Sequence, residues 1–112
     1  MKKLEIIIKP EKLEDLRAVL ESSEVNGLNI VNSMGYGNQK GIIKNYRGAS
    51  YNVTLLPKIK VETVLSDEVA PGLIDKVVDE INTGNFGDGK IFVYDVEDAV
   101  RIRTGEHGDK AL

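Results

Sequence analysis

The chain has 112 residues, enough for one domain with a modest core and too few for two. Its 41% hydrophobic and 29% charged residues argue against a disordered chain, and the lack of cysteine excludes disulfide frameworks and thiolate metal sites. A net charge of −3 argues against general nucleic-acid binding, and no apolar run approaches the roughly 18 residues of a membrane span. Met1-Lys2-Lys3 leads straight into Leu4 to Ile8, too short and too charged for a signal peptide, so a cytoplasmic location is expected.

Leu4 to Lys9 is β-branched and apolar, stops at Pro10 and reads as a buried strand. Leu13, Leu16, Val19 and Leu20 recur at helical spacing, with Glu11, Glu14 and Asp15 where a helix N-terminus favours acids. Asn26-Gly27 signals a turn, and Leu28 to Met34 reads as a second strand interrupted by Asn29 and Asn32. Lys58 to Leu65 alternates, placing Ile59, Val61, Thr63 and Leu65 on one face. Pro71 opens a helix with the stripe Leu73, Ile74, Val77, Val78 and Ile81, which Thr83-Gly84 closes. Lys90 to Val96 reads as the last strand. The order βαβ, long loop, βαβ predicts an α+β, ferredoxin-like fold: a four-stranded antiparallel sheet with both helices on one face.

The connection from about Gly35 to Leu56 reads as a long loop without regular structure, a length that usually carries function. Gly35, Gly37, Gly41 and Gly48 make it pliable, while Tyr36, Tyr46 and Tyr51 offer large amphipathic contacts to a partner. No Asp or Glu occurs from Val25 to Val61, although the chain has 18; that span carries Lys40, Lys44, Arg47, Lys58 and Lys60.

Thr83 to Glu106 holds the chemistry-bearing residues. Gly87 and Gly89 allow backbone amides to turn toward an anion, and Lys90 follows at once. Arg101 and Arg103, two residues apart, would point together on a strand and suit an anion between them, unless Glu97 or Asp98 pairs with them. The Walker pattern is absent, so phosphoryl transfer by a P-loop is not expected. Tyr36-Gly37-Asn38-Gln39-Lys40-Gly41 adds a second glycine-rich stretch leaving a strand, and Lys58 stands at the far foot of the same loop. No Ser-His-Asp set or carboxylate pair suggests catalysis, so no catalytic residue and no enzyme are expected. His107, the single histidine, is expected to be solvated, with no metal or catalytic role.

These motifs together resemble the PII nitrogen-regulatory signal proteins, across the whole chain. The segments carrying the resemblance are TGNFGDGKIFVYDV at 83–96, RIRTGE at 101–106, YGNQKG at 36–41, YRGASY at 46–51 and LPKIKVE at 56–62. The resemblance implies one ferredoxin-like domain over 1–112, assembled as a homotrimer with ATP or ADP in the clefts between subunits. It implies that Gly87, Asp88, Gly89 and Lys90 form the phosphate-binding loop and that Arg101 and Arg103 bind phosphate. Gly27, Asn29, Gly37, Glu62 and Val64 match positions lining adenine and ribose, with Asn38 near the phosphates. Gln39 matches the ligand of Mg²⁺; Gln39, Gly41, Lys58 and Gly87 match the 2-oxoglutarate site.

The loop at about 36–56 corresponds to the family's T-loop, the effector arm. Arg47 is similar to the arginine that plugs an ammonium transporter, with Tyr46 and Tyr51 as further partner contacts; Tyr51 matches a tyrosine that is uridylylated or adenylylated in some bacteria. The chain departs from the family pattern where Asn38 replaces arginine, Asn29 replaces Thr or Ser, and Ser50 replaces Glu. Losing the cation at position 38 costs about 1–3 kcal/mol of phosphate binding on a charge argument. The implied role is a sensor of ATP, ADP and 2-oxoglutarate. It would control an ammonium transporter, and possible targets among nitrogen-metabolism enzymes or regulators, and be recruited to the membrane through the transporter without inserting. The alternative is an RNA-binding ferredoxin-like module, which Lys90-Ile-Phe-Val-Tyr94 resembles only in part.

Overall fold

The computed structural model describes residues 1–36, 42–46, 49–53 and 55–112; for 42–46 and 49–53 it describes the backbone alone. The chain order is β1 (Lys2–Ile8), α1 (Leu13–Glu21), β2 (Asn29–Gly35), β3 (Ile42–Tyr46), β4 (Ala49–Val53), β5 (Leu56–Leu65), α2 (Ala70–Ile81) and β6 (Lys90–Asp95). Short 3₁₀ turns occupy Pro10–Lys12 and Gly108–Ala111.

Strands β2, β5, β1 and β6 form, in that order, a four-stranded sheet in which every pairing is antiparallel. This is the ferredoxin-like α+β arrangement expected from the sequence. The period-two alternation of β1 turns Leu4, Ile6 and Ile8 to the helices, where they are 0, 1 and 2% exposed. Ile59, Val61, Thr63 and Leu65 of β5 do the same, and Leu16, Val19 and Leu20 of α1 and Leu73, Val77 and Ile81 of α2 close over them. Thr63 is the one buried polar side chain among the described residues, and its hydroxyl donates to the Gly27 carbonyl at 2.7 Å.

The opposite face of the sheet carries Lys3, Glu5 and Ile7 of β1, Lys58, Lys60, Glu62 and Val64 of β5, Asn29, Val31 and Ser33 of β2, and Lys90, Phe92 and Tyr94 of β6. Both helices lie against the other side. Val31, Phe92 and Tyr94 are therefore nearly half exposed.

The loop expected between Gly35 and Leu56 contains regular structure. Strands β3 and β4 pair antiparallel from Ile42↔Val53 to Tyr46↔Ala49, forming a hairpin of its own. Ile42, Ile43, Tyr46, Tyr51 and Val53 are strand formers, and their preference outweighs the glycines that suggest an unstructured loop. Strand β5 begins at Leu56, two residues before the expected start, because Gly35 pairs with Leu56 and Met34 with Pro57. The radius of gyration is 17.0 Å, against about 13 Å for a compact chain of this length. The longest dimension is 60 Å, as suits an arm whose strands pair with each other rather than with the main sheet. Among the described residues no helix is long and apolar enough to cross a membrane.

Ile6 sits at the centre of the core, so Ile6→Ala is expected to cost about 2–5 kcal/mol in urea unfolding. Glu14→Ala, which removes an exposed ion pair with Arg17, is expected to cost less than about 1 kcal/mol.

Candidate functional site

The turn entering β6 is fixed by close approach. Gly87 has φ 90° and Gly89 φ 112°, in the region that favours glycine. A Cβ at Gly89 would lie 1.8 Å from the Ile7 carbonyl oxygen, so only glycine lets β6 begin its pairing with β1 here. Asp88 faces back into the turn. Its carboxylate accepts hydrogen bonds from the Thr83 amide at 2.8 Å, the Gly84 amide at 3.1 Å and the Thr83 hydroxyl. These bonds, the Thr83 hydroxyl first, hold the Asp88 carboxyl below the usual carboxylate range. Asp88 is thus an acceptor for donors of its own turn, which shapes the loop between Gly87 and Lys90.

That loop meets the far end of β2 and the near end of β5 in a cleft of about 420 Å³. Gly35, Tyr36 and Lys58 line one side, and Asn85, Phe86 and Gly87 to Lys90 the other. Lys58 and Lys90 bring two cations to a cleft with glycine walls, which suits a polyanion. A second cleft, of about 360 Å³, opens at the other end of β5 and is lined by Lys3, Gly27, Leu28, Asn29, Glu62, Thr63 and Val64. The Thr63 hydroxyl bond ties Gly27 to this end of the strand.

Lys58 and Val64 lie six residues apart on one face of β5, or about 20 Å at the usual rise. A charged network runs from the second cleft, where Lys3 and Glu62 lie, toward the first. Tyr94 donates to Glu5 at 2.8 Å, Lys60 stands 3.5 Å from Glu5 and 3.7 Å from Glu62, and Lys3 stands 3.6 Å from Glu62. The bond to Tyr94, then Lys60 and Lys3, keeps the Glu5 carboxyl low, and Glu5 in turn raises the Tyr94 phenol. Lys3 also sits 5.1 Å from the Tyr94 ring centroid.

The expected placement of Arg101 and Arg103 on one strand face is corrected. Residues 102–104 form a turn, closed by Gly105 N–H to the Arg101 carbonyl at 2.7 Å and Arg101 N–H to the Glu106 carbonyl at 2.9 Å. Local hydrogen bonds thus override the alternation seen in the sequence. Arg101 is half-buried and donates through Nη2 to the Leu112 carbonyl at 2.7 Å, whereas Arg103 is exposed. Leu112, which takes this hydrogen bond, lines a further cleft together with Val64, whereas Arg101 does not line the glycine-loop cleft.

Asp98 pairs with neither arginine. It accepts from His107, whose Nδ1 lies 2.8 Å away, while the His107 side chain stays exposed, as expected. That bond, foremost, holds the Asp98 carboxyl below its ordinary range. Gly37, Asn38, Gln39, Gly41 and Arg47 lie outside the described residues, as do the side chains of Tyr46 and Tyr51. Sequence reasoning missed Thr83 as the partner of Asp88 and Thr63 as the tether of Gly27. A threonine on an otherwise apolar strand face was the available signal for the second.

Because the Asp88 carboxyl is held low, the order it gives the turn is present above the ordinary aspartate range and lost as pH falls through the lowered value. Hydrogen exchange followed by NMR is expected to show Thr83 and Gly84 amides protected at a pH of about 5, with protection lost only below the ordinary aspartate pKa of about 3.9.

A family model described as nitrogen regulatory protein P-II matches residues 1–106. The nitrogen regulatory protein P-II of Haemophilus influenzae is 48% identical over 112 residues, all of both chains. Those of Cereibacter sphaeroides and, as P-II 1, Escherichia coli K12 are each 46% identical over the same full length. With this fold and this agreement from end to end, the chain belongs to the P-II family of nitrogen regulatory proteins.

Proposed function

We propose that the chain is a nitrogen-signalling sensor that binds ATP or ADP between the subunits of a homotrimer and reports its ligand state through the β3–β4 arm. The observation that carries this reading is the division of the candidate residues into two incomplete half-sites. Gly87, Gly89, Lys90 and Lys58 sit at one end of β5, on the glycine-loop cleft. Gly27, Asn29, Glu62 and Val64 sit at the other, and Arg101 is bonded to Leu112, which shares a cleft with Val64.

A separation of about 20 Å along one strand favours completion of each half-site by a second copy over one ligand bridging both ends of a single protomer. The open sheet face supports such an assembly, since Val31, Phe92 and Tyr94 expose apolar surface that neither α1 nor α2 covers. In the completed cleft, the glycine amides, Lys90 and the Arg101–Arg103 turn would hold phosphates. Gly27, Asn29, Glu62 and Val64 would face base and ribose, and Asp88 would keep the loop in shape.

The donor set suits Mg²⁺ only in company with phosphate. Among the described residues no group of three or more acidic or histidine side chains is placed to hold a metal. Mg²⁺ commonly takes its protein ligands sparingly and the rest from substrate phosphates, and Gln39 with ATP would meet that demand. Lys58, at the foot of the arm, would pair with a carboxylate of 2-oxoglutarate, with Gln39, Gly41 and Gly87 around it. A ligand touching both the arm's root and the fixed glycine loop would bias the arm between conformations. The arm, with Tyr46, Arg47 and Tyr51, would then engage or release a partner, an ammonium transporter first among them, from the cytoplasm; Tyr51 is also the candidate for covalent modification.

Calorimetry is the direct test. ADP and ATP are expected to bind the intact protein, with Lys90→Ala and Arg101→Ala each weakening binding about 10- to 100-fold, the range for a charge-assisted phosphate contact. 2-Oxoglutarate is expected to bind only when Mg²⁺ and ATP are both present. Unchanged nucleotide affinity in both variants, or 2-oxoglutarate binding without nucleotide, would contradict the reading.

A further inference from the structure

The segment after β6 is a small hairpin with Arg101 and Arg103 at its tip. Val100 and His107 form an isolated antiparallel bridge, and Gly108 N–H donates to the Ala99 carbonyl at 3.0 Å. One side chain ties both legs together at the base. Asp98 Oδ1 accepts from the Ala99 amide at 2.9 Å on the first leg and from the Gly108 amide at 3.2 Å on the second. Asp98 Oδ2 lies 2.8 Å from His107 Nδ1.

We propose that Asp98 and His107 form a proton-dependent clamp that positions the Arg101–Arg103 turn, so that protonation of His107 tightens its grip on the phosphates of a nucleoside diphosphate. This rests on the reading of Arg101 and Arg103 as phosphate ligands. Two effects act in the same direction. A charged imidazolium holds the Asp98 carboxylate more strongly than a neutral ring and so closes the hairpin base. It also cancels the Asp98 charge, which otherwise opposes a polyanion approaching the arginines.

The surroundings leave this pair to act by itself. The charged neighbours along the hairpin and the short turn after it are Glu97, Glu106, Asp109, Lys110 and the two arginines. Among the described residues none of them, and no charged side chain of the main sheet or either helix, is ion-paired with Asp98 or His107. The pair is about half exposed, with side chains 65% and 49% accessible. Its effect therefore falls in the modest range of exposed ion pairs. His107 is the chain's single histidine, so the molecule has no second pair of this kind.

The test is calorimetric titration of ADP into the intact protein, its His107→Gln variant and its Asp98→Asn variant, at pH about 8 and about 5.5, across the range of imidazole titration. The phosphates of ADP titrate in the same range, so the quantity read is the ratio of unaltered to variant affinity at each pH. That ratio is expected to rise about two- to fivefold at the lower pH for both variants, the span of an exposed ion pair. Parallel pH profiles for the unaltered protein and His107→Gln would overturn the clamp alone, as would the full pH effect surviving in Asp98→Asn. Absence of ADP binding by the unaltered protein at either pH would overturn the phosphate reading and the clamp with it.

Discussion

Strand β5 is paired on both sides, with β2 and with β1, and its alternation serves two purposes at once. One set of side chains, Ile59, Val61, Thr63 and Leu65, closes the core under the two helices. The other set, Lys58, Lys60, Glu62 and Val64, stands on the uncovered face. A slip of one residue would exchange the two sets and bury three charges, so the hydrophobic pattern that specifies the fold also fixes the register of the candidate site. The core therefore determines where Lys58 and Val64 lie, at opposite ends of one rigid strand.

Around that strand, the elements differ in how they are tied to the main sheet. The glycine loop is over-determined: the Asp88 carboxylate collects three hydrogen bonds, and Gly89 presses against the Ile7 carbonyl. The β3–β4 hairpin, by contrast, pairs with itself and not with the main sheet. An arm of this kind can change orientation without disturbing the core, which a switch requires. The charged network of Lys3, Glu5, Lys60, Glu62 and Tyr94 runs from the Glu62 half-site toward the other and holds Glu62 on the open face.

Much of this was legible in the sequence, for specific reasons. Strand β1 and helices α1 and α2 are periodic enough to be located from their apolar residues, and the glycines of the turn before β6 announce a backbone that needs positive φ. The β3–β4 hairpin was hidden because four glycines, at 35, 37, 41 and 48, make the sequence read as a pliable loop. The alternation of Arg101 and Arg103 suggested a strand, but closure of Gly105 onto Arg101 makes a turn. For a hydrogen bond from one side chain to distant backbone, such as Thr63 to Gly27, the spacing marks the odd polar residue but not its partner. The same holds for the pairing of His107 with Asp98, nine residues apart in the chain.

The central claim is that each nucleotide site is shared by two subunits, and mixed assemblies test it most directly. Lys90→Ala protomers retain the Glu62 half-site, and Glu62→Ala protomers retain the Lys90 half-site. Each variant alone is expected to bind ADP weakly. Co-assembled and examined by native mass spectrometry, mixed trimers are expected to recover tight binding, because a cleft can then combine an intact half from each. Absence of recovery in verified mixed trimers, or tight ADP binding to an isolated monomer, would contradict a shared site.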